Sequence, residues 1–214
     1  MKFGRTWIFD LDNTLHDAAP HVLPHIDRSM TQYIERHLGL ETDAASALRR
    51  QYWLRYGATL LGLMRHHGTD PRHFLWHTHQ FPDLQRMLIS EPQLRATLRR
   101  LPGKKFVFSN APAHYARAVL DLLGIADLFD GLFFIEQARF RPKPDSYGFL
   151  RLCRSNHLKP GRCIMVEDNL ENLRTAARLG MKAVWVTKSA RVPACVDVKV
   201  ARLMQLPRML AYLR

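Results

Sequence analysis

The chain has 214 residues, 47% hydrophobic and 24% charged, which are values of a globular protein and exclude a disordered one. No apolar run approaches the roughly 18 residues needed to cross a bilayer, so a helical membrane protein is excluded as well. The net charge is +13, but Lys and Arg are scattered, with no basic stripe or tail; that pattern favours a general positive field drawing small anions over a nucleic-acid interface.

The apolar run Thr6 to Phe9 predicts a first, buried strand, and it ends directly in Asp10-Leu11-Asp12-Asn13-Thr14. Two carboxylates this close repel one another unless a cation or a division of labour relieves them. From 17 to 90 the pattern is helical, with no strand signal. Leu23, Ile26, Met30, Tyr33, Ile34 and Leu38 recur at spacings of three and four, as do Leu48, Tyr52, Tyr56, Leu60 and Met64. Gly39, Gly57, Gly68 and Pro71 punctuate the helices. Strand-type runs resume at Lys105 to Phe108, followed by Ser109-Asn110, and at Leu132 to Ile135. Between them, Ala113 to Leu123 reads as a helix closed by Gly124.

Arg141-Pro142-Lys143-Pro144 then leads into a helix expected over Pro144 to Asn156, with the proline suited to its first position. Cys163 to Val166 is the next strand and runs into Glu167-Asp168-Asn169; a helix from Leu170 to Leu179 closes at Gly180. Ala183 to Val186 is a further strand, Val196 to Val200 a short edge strand, and Pro207 to Leu213 a closing helix. Continuous apolar strands alternating with helices imply an α/β fold, a parallel sheet covered on both faces. The expected division is a core of 1–16 and 91–214 interrupted by a helical insertion of 17–90.

The strand ends and connections thus carry an acid pair, a hydroxyl, a lysine and a second acid pair. A hard divalent cation takes oxygen ligands, and a phosphoryl group takes a lysine, a hydroxyl and backbone donors. Both sets are present. The histidines are less telling. His73 and His77 have the i, i+4 spacing of zinc ligands, but nothing nearby in sequence completes a set, so no zinc site is expected. Arg55, Tyr56 and His66 are candidates for touching a ligand, although Tyr56 also fits the apolar stripe of a core residue. Cys153, Cys163 and Cys195 are odd in number and lack a CxxC spacing, and the first residues do not resemble a signal peptide. A cytoplasmic protein with reduced thiols is therefore expected.

In order, Asp10-x-Asp12-x-Thr14, Ser109, Lys143 and Glu167-Asp168 resemble the four motifs of the haloacid dehalogenase (HAD) superfamily. Phe9-Asp10-Leu11-Asp12-Asn13-Thr14-Leu15, Tyr56-Gly57, Ser109-Asn110-Ala111, Leu123 to Gly131 and Glu167-Asp168-Asn169 with Asn172 are further similar to its pyrimidine 5′-nucleotidase branch. The resemblance implies a doubly wound, Rossmann-like core sheet with an all-helical cap that closes over small substrates. It implies Asp10 as nucleophile forming an aspartyl-phosphate, and Asp12 as general acid and then base. It also implies Mg²⁺ held by Asp10, the backbone carbonyl of Asp12 and Asp168, with Glu167 in the outer shell. Lys143 would neutralise the transferring oxygens and the nucleophile, Ser109 would donate to the phosphate, Asn110 would orient the phosphate loop, and Asn172 would tie that loop to its helix. The fourth motif reads Glu-Asp where Asp-Asp is commoner, and His16 stands where the branch often has an aromatic residue.

The implied activity is Mg²⁺-dependent hydrolysis of a small phosphate monoester, with a pyrimidine nucleoside 5′-monophosphate such as UMP or CMP as the substrate. A sugar-phosphate or phosphoglycolate phosphatase, or a phosphomutase, uses the same motifs. A dehalogenase has no need of Asp12, because a departing halide takes no proton. A nucleic-acid-binding or regulatory protein that kept the fold without the chemistry would have had little reason to retain Asp10, Asp12, Lys143 and Asp168.

Overall fold

A computed structural model describes residues 4–213. The chain divides into two compact units, one of Ala18–Leu88 and the other of the described residues up to Asp17 and from Ile89 onward.

The discontinuous unit is built on six parallel strands. They are β1 (Thr6–Phe9), β2 (Lys105–Phe108), β3 (Gly131–Phe133), β4 (Cys163–Glu167), β5 (Lys182–Val186) and β6 (Val198–Val200), in the order β3-β2-β1-β4-β5-β6. This is a doubly wound sheet, with β1 at its centre and the order reversing between β1 and β4. Phe9 is in register with Val107 on one side and Val166 on the other, so the three strands reach their carboxyl ends together. Trp7, Ile8 and Phe9 have no exposed surface, and β4 is buried along its whole length. Burying a side chain of this size contributes about 1.5–3 kcal/mol, which explains why apolar runs of only four or five residues suffice to hold the centre of the sheet.

One sheet face carries Ile8, Phe106, Phe108, Met165 and Ala183, packed with Phe149, Leu152, Leu173 and Ala176. The last four belong to helices α8 (Ser146–Ser155) and α9 (Leu170–Arg178). On the other face Trp7 and Phe9 stack with ring centroids 6.0 Å apart, and Phe129 meets Phe9 edge-on at 6.1 Å. The unit also contains the α-helices α6 (Leu94–Arg100) and α7 (Ala113–Leu122). The chain leaves this unit at Asp17 and re-enters at Ile89; these two residues pair as an isolated antiparallel bridge, Asp17 N donating to the Ile89 carbonyl at 2.7 Å.

The second unit consists of α1 (Val22–Leu38), α2 (Thr42–Tyr56), α3 (Thr59–His67), α4 (Pro71–Thr78) and α5 (Leu84–Met87). Val22, Ile26, Tyr33 and Ile34 form the buried stripe of α1, whereas Leu23, read as part of that stripe, is exposed. The second stripe is divided between two helices, because Gly57 ends α2 at φ 79°, a left-handed conformation suited to glycine. Within the new helix Gly62 lies directly under the Tyr52 ring, where any Cβ would overlap it. Asp70 caps α4 by accepting from Arg72 N, and Pro71 occupies the first turn.

Several boundaries differ from the sequence expectation. The helix expected from Pro144 starts at Ser146, because the Asp145 side chain caps it by accepting from Tyr147 N; Pro144 follows a cis peptide bond outside the helix. The third strand is Gly131–Phe133 instead of Leu132 to Ile135, as the chain turns from Phe134 onward. The closing helix over Pro207 to Leu213 is a 3-10 helix that begins earlier, at Leu203, and contains Pro207; a proline inside an α-helix would remove an i to i−4 hydrogen bond.

Candidate functional site

The site forms where β1, β2 and β4 end. Asp10 follows β1 directly, and its backbone N–H donates to the Val166 carbonyl at 3.0 Å, so the residue is still held by the ladder. The chain then turns back sharply: Leu15 N donates to the Leu11 carbonyl at 2.8 Å, and Asn13 adopts φ 61°. Among non-glycine residues asparagine tolerates that left-handed conformation best, a local reason for Asn at the second position of Asp12-Asn13-Thr14. This turn keeps Asp12 at the site, three residues beyond the strand.

Lys143 is the organising cation. Its side chain is 1% exposed, and Nζ donates to Asp10 Oδ1 at 2.6 Å, to Glu167 Oε2 at 2.8 Å and to the Phe108 carbonyl at 2.8 Å. All three donor positions of the ammonium are thereby used. Asn110, at the end of β2, clamps the lysine's backbone from both sides, Oδ1 accepting from Lys143 N at 2.7 Å and Nδ2 donating to Lys143 O at 3.1 Å. This residue, expected to orient the phosphate loop, thus orients the loop that presents the lysine. Ser109, expected as a phosphate donor, is 1% exposed and its hydroxyl accepts from Ala111 N at 3.0 Å. Its hydroxyl hydrogen still has to find an acceptor, so the hydrogen bond seen does not use up its donor capacity.

The fourth motif sits at the end of β4. Glu167 is 1% exposed; one carboxylate oxygen takes Lys143 and the other accepts from Asn169 N at 3.1 Å. Asn169, and not the acid pair, caps α9, its side chain accepting from Glu171 N. Asp168 is partly exposed, and the indole N–H of Trp185 donates to its carbonyl at 2.8 Å. Asn172 is buried with Oδ1 unpartnered, so no tie from that oxygen to the phosphate loop is present.

Asp10, Glu167 and Asp168 each offer a carboxylate oxygen, and these atoms lie within 4.8 Å of one another. Three carboxylates share one ammonium, which leaves the cluster with excess negative charge. The protonation equilibria reflect that excess. Burial, with repulsion from Glu167, pushes the Asp10 carboxyl up to about 7 despite Lys143. Burial raises Glu167 as well, Lys143 partly opposing it, and burial followed by repulsion from Asp10 raises Asp168. For Lys143, burial acts to lower the ammonium, but Asp10 and Glu167 outweigh it and hold the group above its ordinary value. A hard divalent cation fits such a place: the donors are all oxygens, they converge, and the excess charge is of the right sign.

Two groups join the site around Asp12: Tyr115, which the sequence did not single out, and His16, noted there only as a departure from the branch pattern. Tyr115, in α7, donates from its hydroxyl to Asp12 Oδ1 at 2.6 Å, and His16 Nε2 lies 3.0 Å from the same oxygen. His16 is buried. Its i, i+4 spacing from Asp12 was a usable signal; Tyr115, 103 residues from Asp12, gave none.

Arg55 and Tyr56 belong to the helical unit. There the Tyr56 hydroxyl pairs with His66 Nε2 at 2.5 Å, and Tyr52 pairs with His67 Nε2 at 2.8 Å. Arg55 and Arg65 lie 5.5 and 5.8 Å from the centroid of the Tyr56 ring. Tyr52 takes the core position, and Tyr56 is half-buried. His73 and His77 stand with ring centroids 4.4 Å apart, joined by His37 at 5.2 Å from His73. Among the described residues only the Asp10, Glu167 and Asp168 group has ligand atoms converged for a metal.

Known proteins are similar to this chain. "Phosphate metabolism protein 8" of Saccharomyces cerevisiae is 29% identical over 194 residues, covering 83% of this chain and 60% of the yeast protein. The chain thus spans less than two thirds of that relative. N-acylneuraminate-9-phosphatase of Mus musculus is 26% identical over 216 residues, covering 88% of this chain and 85% of the mouse protein. Among solved structures, a HAD phosphatase from Thermococcus onnurineus superposes over 100% of both chains with a TM-score of 0.69 at 23% identity, a likeness of fold. Residues 5–180 match the haloacid dehalogenase-like hydrolases, a stretch that includes β1 to β4 and every residue of the acidic cluster, and the chain belongs to that family.

Proposed function

We propose that the chain is a phosphomonoesterase acting through Asp10 as nucleophile, with a pyrimidine nucleoside 5′-monophosphate as its substrate. The observation that carries this reading is the buried ammonium of Lys143, 2.6 Å from Asp10 Oδ1 and 2.8 Å from Glu167 Oε2, beside the exposed edge of Asp168. Such an arrangement orients a carboxylate for attack and supplies positive charge where a phosphoryl group gains negative charge. Phosphoryl transfer to Asp10 splits hydrolysis into two easier steps.

In the first step an Asp10 oxygen bonds to phosphorus, the ester P–O bond breaks, and Asp12 protonates the leaving alkoxide. In the second, Asp12 takes a proton from water, whose oxygen bonds to phosphorus as the aspartyl-phosphate breaks and phosphate departs. Proton transfer of this kind contributes about 10²–10⁴-fold. Lys143 fixes the Asp10 carboxylate and offsets its charge, while Ser109 is the candidate donor to the phosphate. Mg²⁺ would be held by Asp10, Asp168 and the backbone carbonyl of Asp12, with Glu167 behind them. When bound it neutralises the phosphate oxygens.

Support for a phosphate ester comes from the relatives named as phosphatases and from Asp12, which a departing halide would not require. The pyrimidine nucleotide is supported by the branch motifs and by the aromatic and basic group of Tyr56, His66, Arg55 and Arg65 in the helical unit. A sugar phosphate is the second reading, favoured by the relative acting on N-acylneuraminate 9-phosphate, which aligns over 88% of this chain. Three cysteines without a CxxC spacing support a reducing, cytoplasmic setting. The test is a screen of nucleotides and sugar phosphates with Mg²⁺ and with chelator. UMP and CMP turned over well ahead of hexose and acylneuraminate phosphates is the expected result; the reverse order would select the second reading.

A further inference from the structure

Asp12 is held by two groups that meet on a single one of its oxygens. Tyr115, in the first turn of α7, is 1% exposed, and its hydroxyl donates to Asp12 Oδ1 at 2.6 Å. His16 Nε2 stands 3.0 Å from that Oδ1 and 3.5 Å from the Tyr115 hydroxyl. The His16 side chain has no exposed surface, whereas the Asp12 side chain keeps 22% exposure. His16 Nδ1 is buried without a hydrogen-bond partner, so its ring proton belongs on Nε2, where Asp12 accepts it. Asp12 Oδ1 therefore receives two donors, one from the turn after β1 and one from α7.

We propose that Tyr115 and His16 are positioning residues that lock the Asp12 carboxyl in one orientation and reserve its Oδ2 as the oxygen that carries the transferred proton. This rests on the phosphomonoesterase reading and deepens it. Protonation at Oδ1 would set the new hydrogen against two donors already aimed there, so the proton resides on Oδ2. As the ester P–O bond breaks and the Asp10–phosphorus bond forms, Oδ2–H passes its proton to the leaving oxygen. As water attacks the phosphorylated Asp10, Oδ2 takes the proton back. Two anchors from different elements keep this oxygen pointed the same way in both steps, and without them the carboxyl rotates out of line.

The test compares phenyl phosphate, whose strongly basic phenolate needs a proton on leaving, with p-nitrophenyl phosphate, whose leaving group needs little. kcat/KM is the readout, since it reports the steps up to the first phosphoryl transfer. For Tyr115→Phe the ratio of kcat/KM for p-nitrophenyl phosphate over phenyl phosphate is expected to rise about tenfold, a fraction of the full value of general acid catalysis. A ratio equal to that of the wild type, whether both rates fall or neither does, overturns the proposal. Should Tyr115→Phe fail to fold by circular dichroism, His16→Leu removes the other donor and is read in the same way. Wild-type protein inactive on both esters with Mg²⁺ present would instead overturn the phosphomonoesterase reading, and this proposal with it.

Discussion

The two units of this molecule treat polar chemistry in opposite ways. At the edge of the parallel sheet, charge is buried: Lys143, Asp10 and Glu167 are 4%, 7% and 1% exposed, each held by partners from another strand end or loop. In the helical unit the Tyr56 ring is half-buried with Arg55 and His66 exposed beside it, its hydroxyl pairing with His66 of the next helix. Buried ion clusters hold geometry closely because leaving any member unpaired is costly. Surface pairs are worth little and rearrange readily. The first arrangement suits bond-making, and the second suits recognition that adapts from one substrate to another.

That contrast yields graded expectations. Asp10→Asn should lower kcat on p-nitrophenyl phosphate by more than about 10³-fold, as expected for loss of the nucleophile, with an unchanged circular dichroism spectrum; wild-type rates would remove Asp10 from that role. Lys143→Met leaves two buried carboxylates facing each other, and urea unfolding should show a loss of about 3–5 kcal/mol together with loss of turnover. Adding Mg²⁺ at a hundred times its dissociation constant should stabilise the protein by about 2.7 kcal/mol, with most of the effect absent in Asp168→Asn. Gly62→Ala should cost about 1–3 kcal/mol by forcing a Cβ into the Tyr52 ring. The smallest change belongs to the surface: Arg55→Ala is expected to raise KM for UMP a few-fold with kcat on p-nitrophenyl phosphate preserved.

The two units also differ in how much their residues disclose in sequence. Trp7-Ile8-Phe9, Phe106-Val107-Phe108 and Ile164-Met165-Val166 are uninterrupted apolar runs because both sheet faces are covered, and each is followed directly by a polar residue, Asp10, Ser109 or Glu167. Strand, direction and candidate site are therefore readable together. Lys143 was legible as a type of residue, but its burial was not, since it depends on Asn110 gripping its backbone from 33 residues away. Tyr115 was hidden because its position in α7 reads as an ordinary apolar helix position, and only the fold brings its hydroxyl to Asp12. In the helical unit the period of the stripes was clear, yet Tyr52 and Tyr56 could not be told apart. Both lie in α2, and the turn at Gly57 folds α3 back so that Gly62 sits under the Tyr52 ring, while Tyr56 at the helix end stays half-exposed.

One small pairing carries an evolutionary consequence. Because Asp17 and Ile89 are hydrogen-bonded to each other where the chain departs and returns, the polypeptide closes a loop whose ends are already stapled. A segment attached in this manner can be shortened, enlarged or traded for another without disturbing the strands on either side. New substrates could thus be acquired by exchanging a module while the inherited chemistry stayed in place.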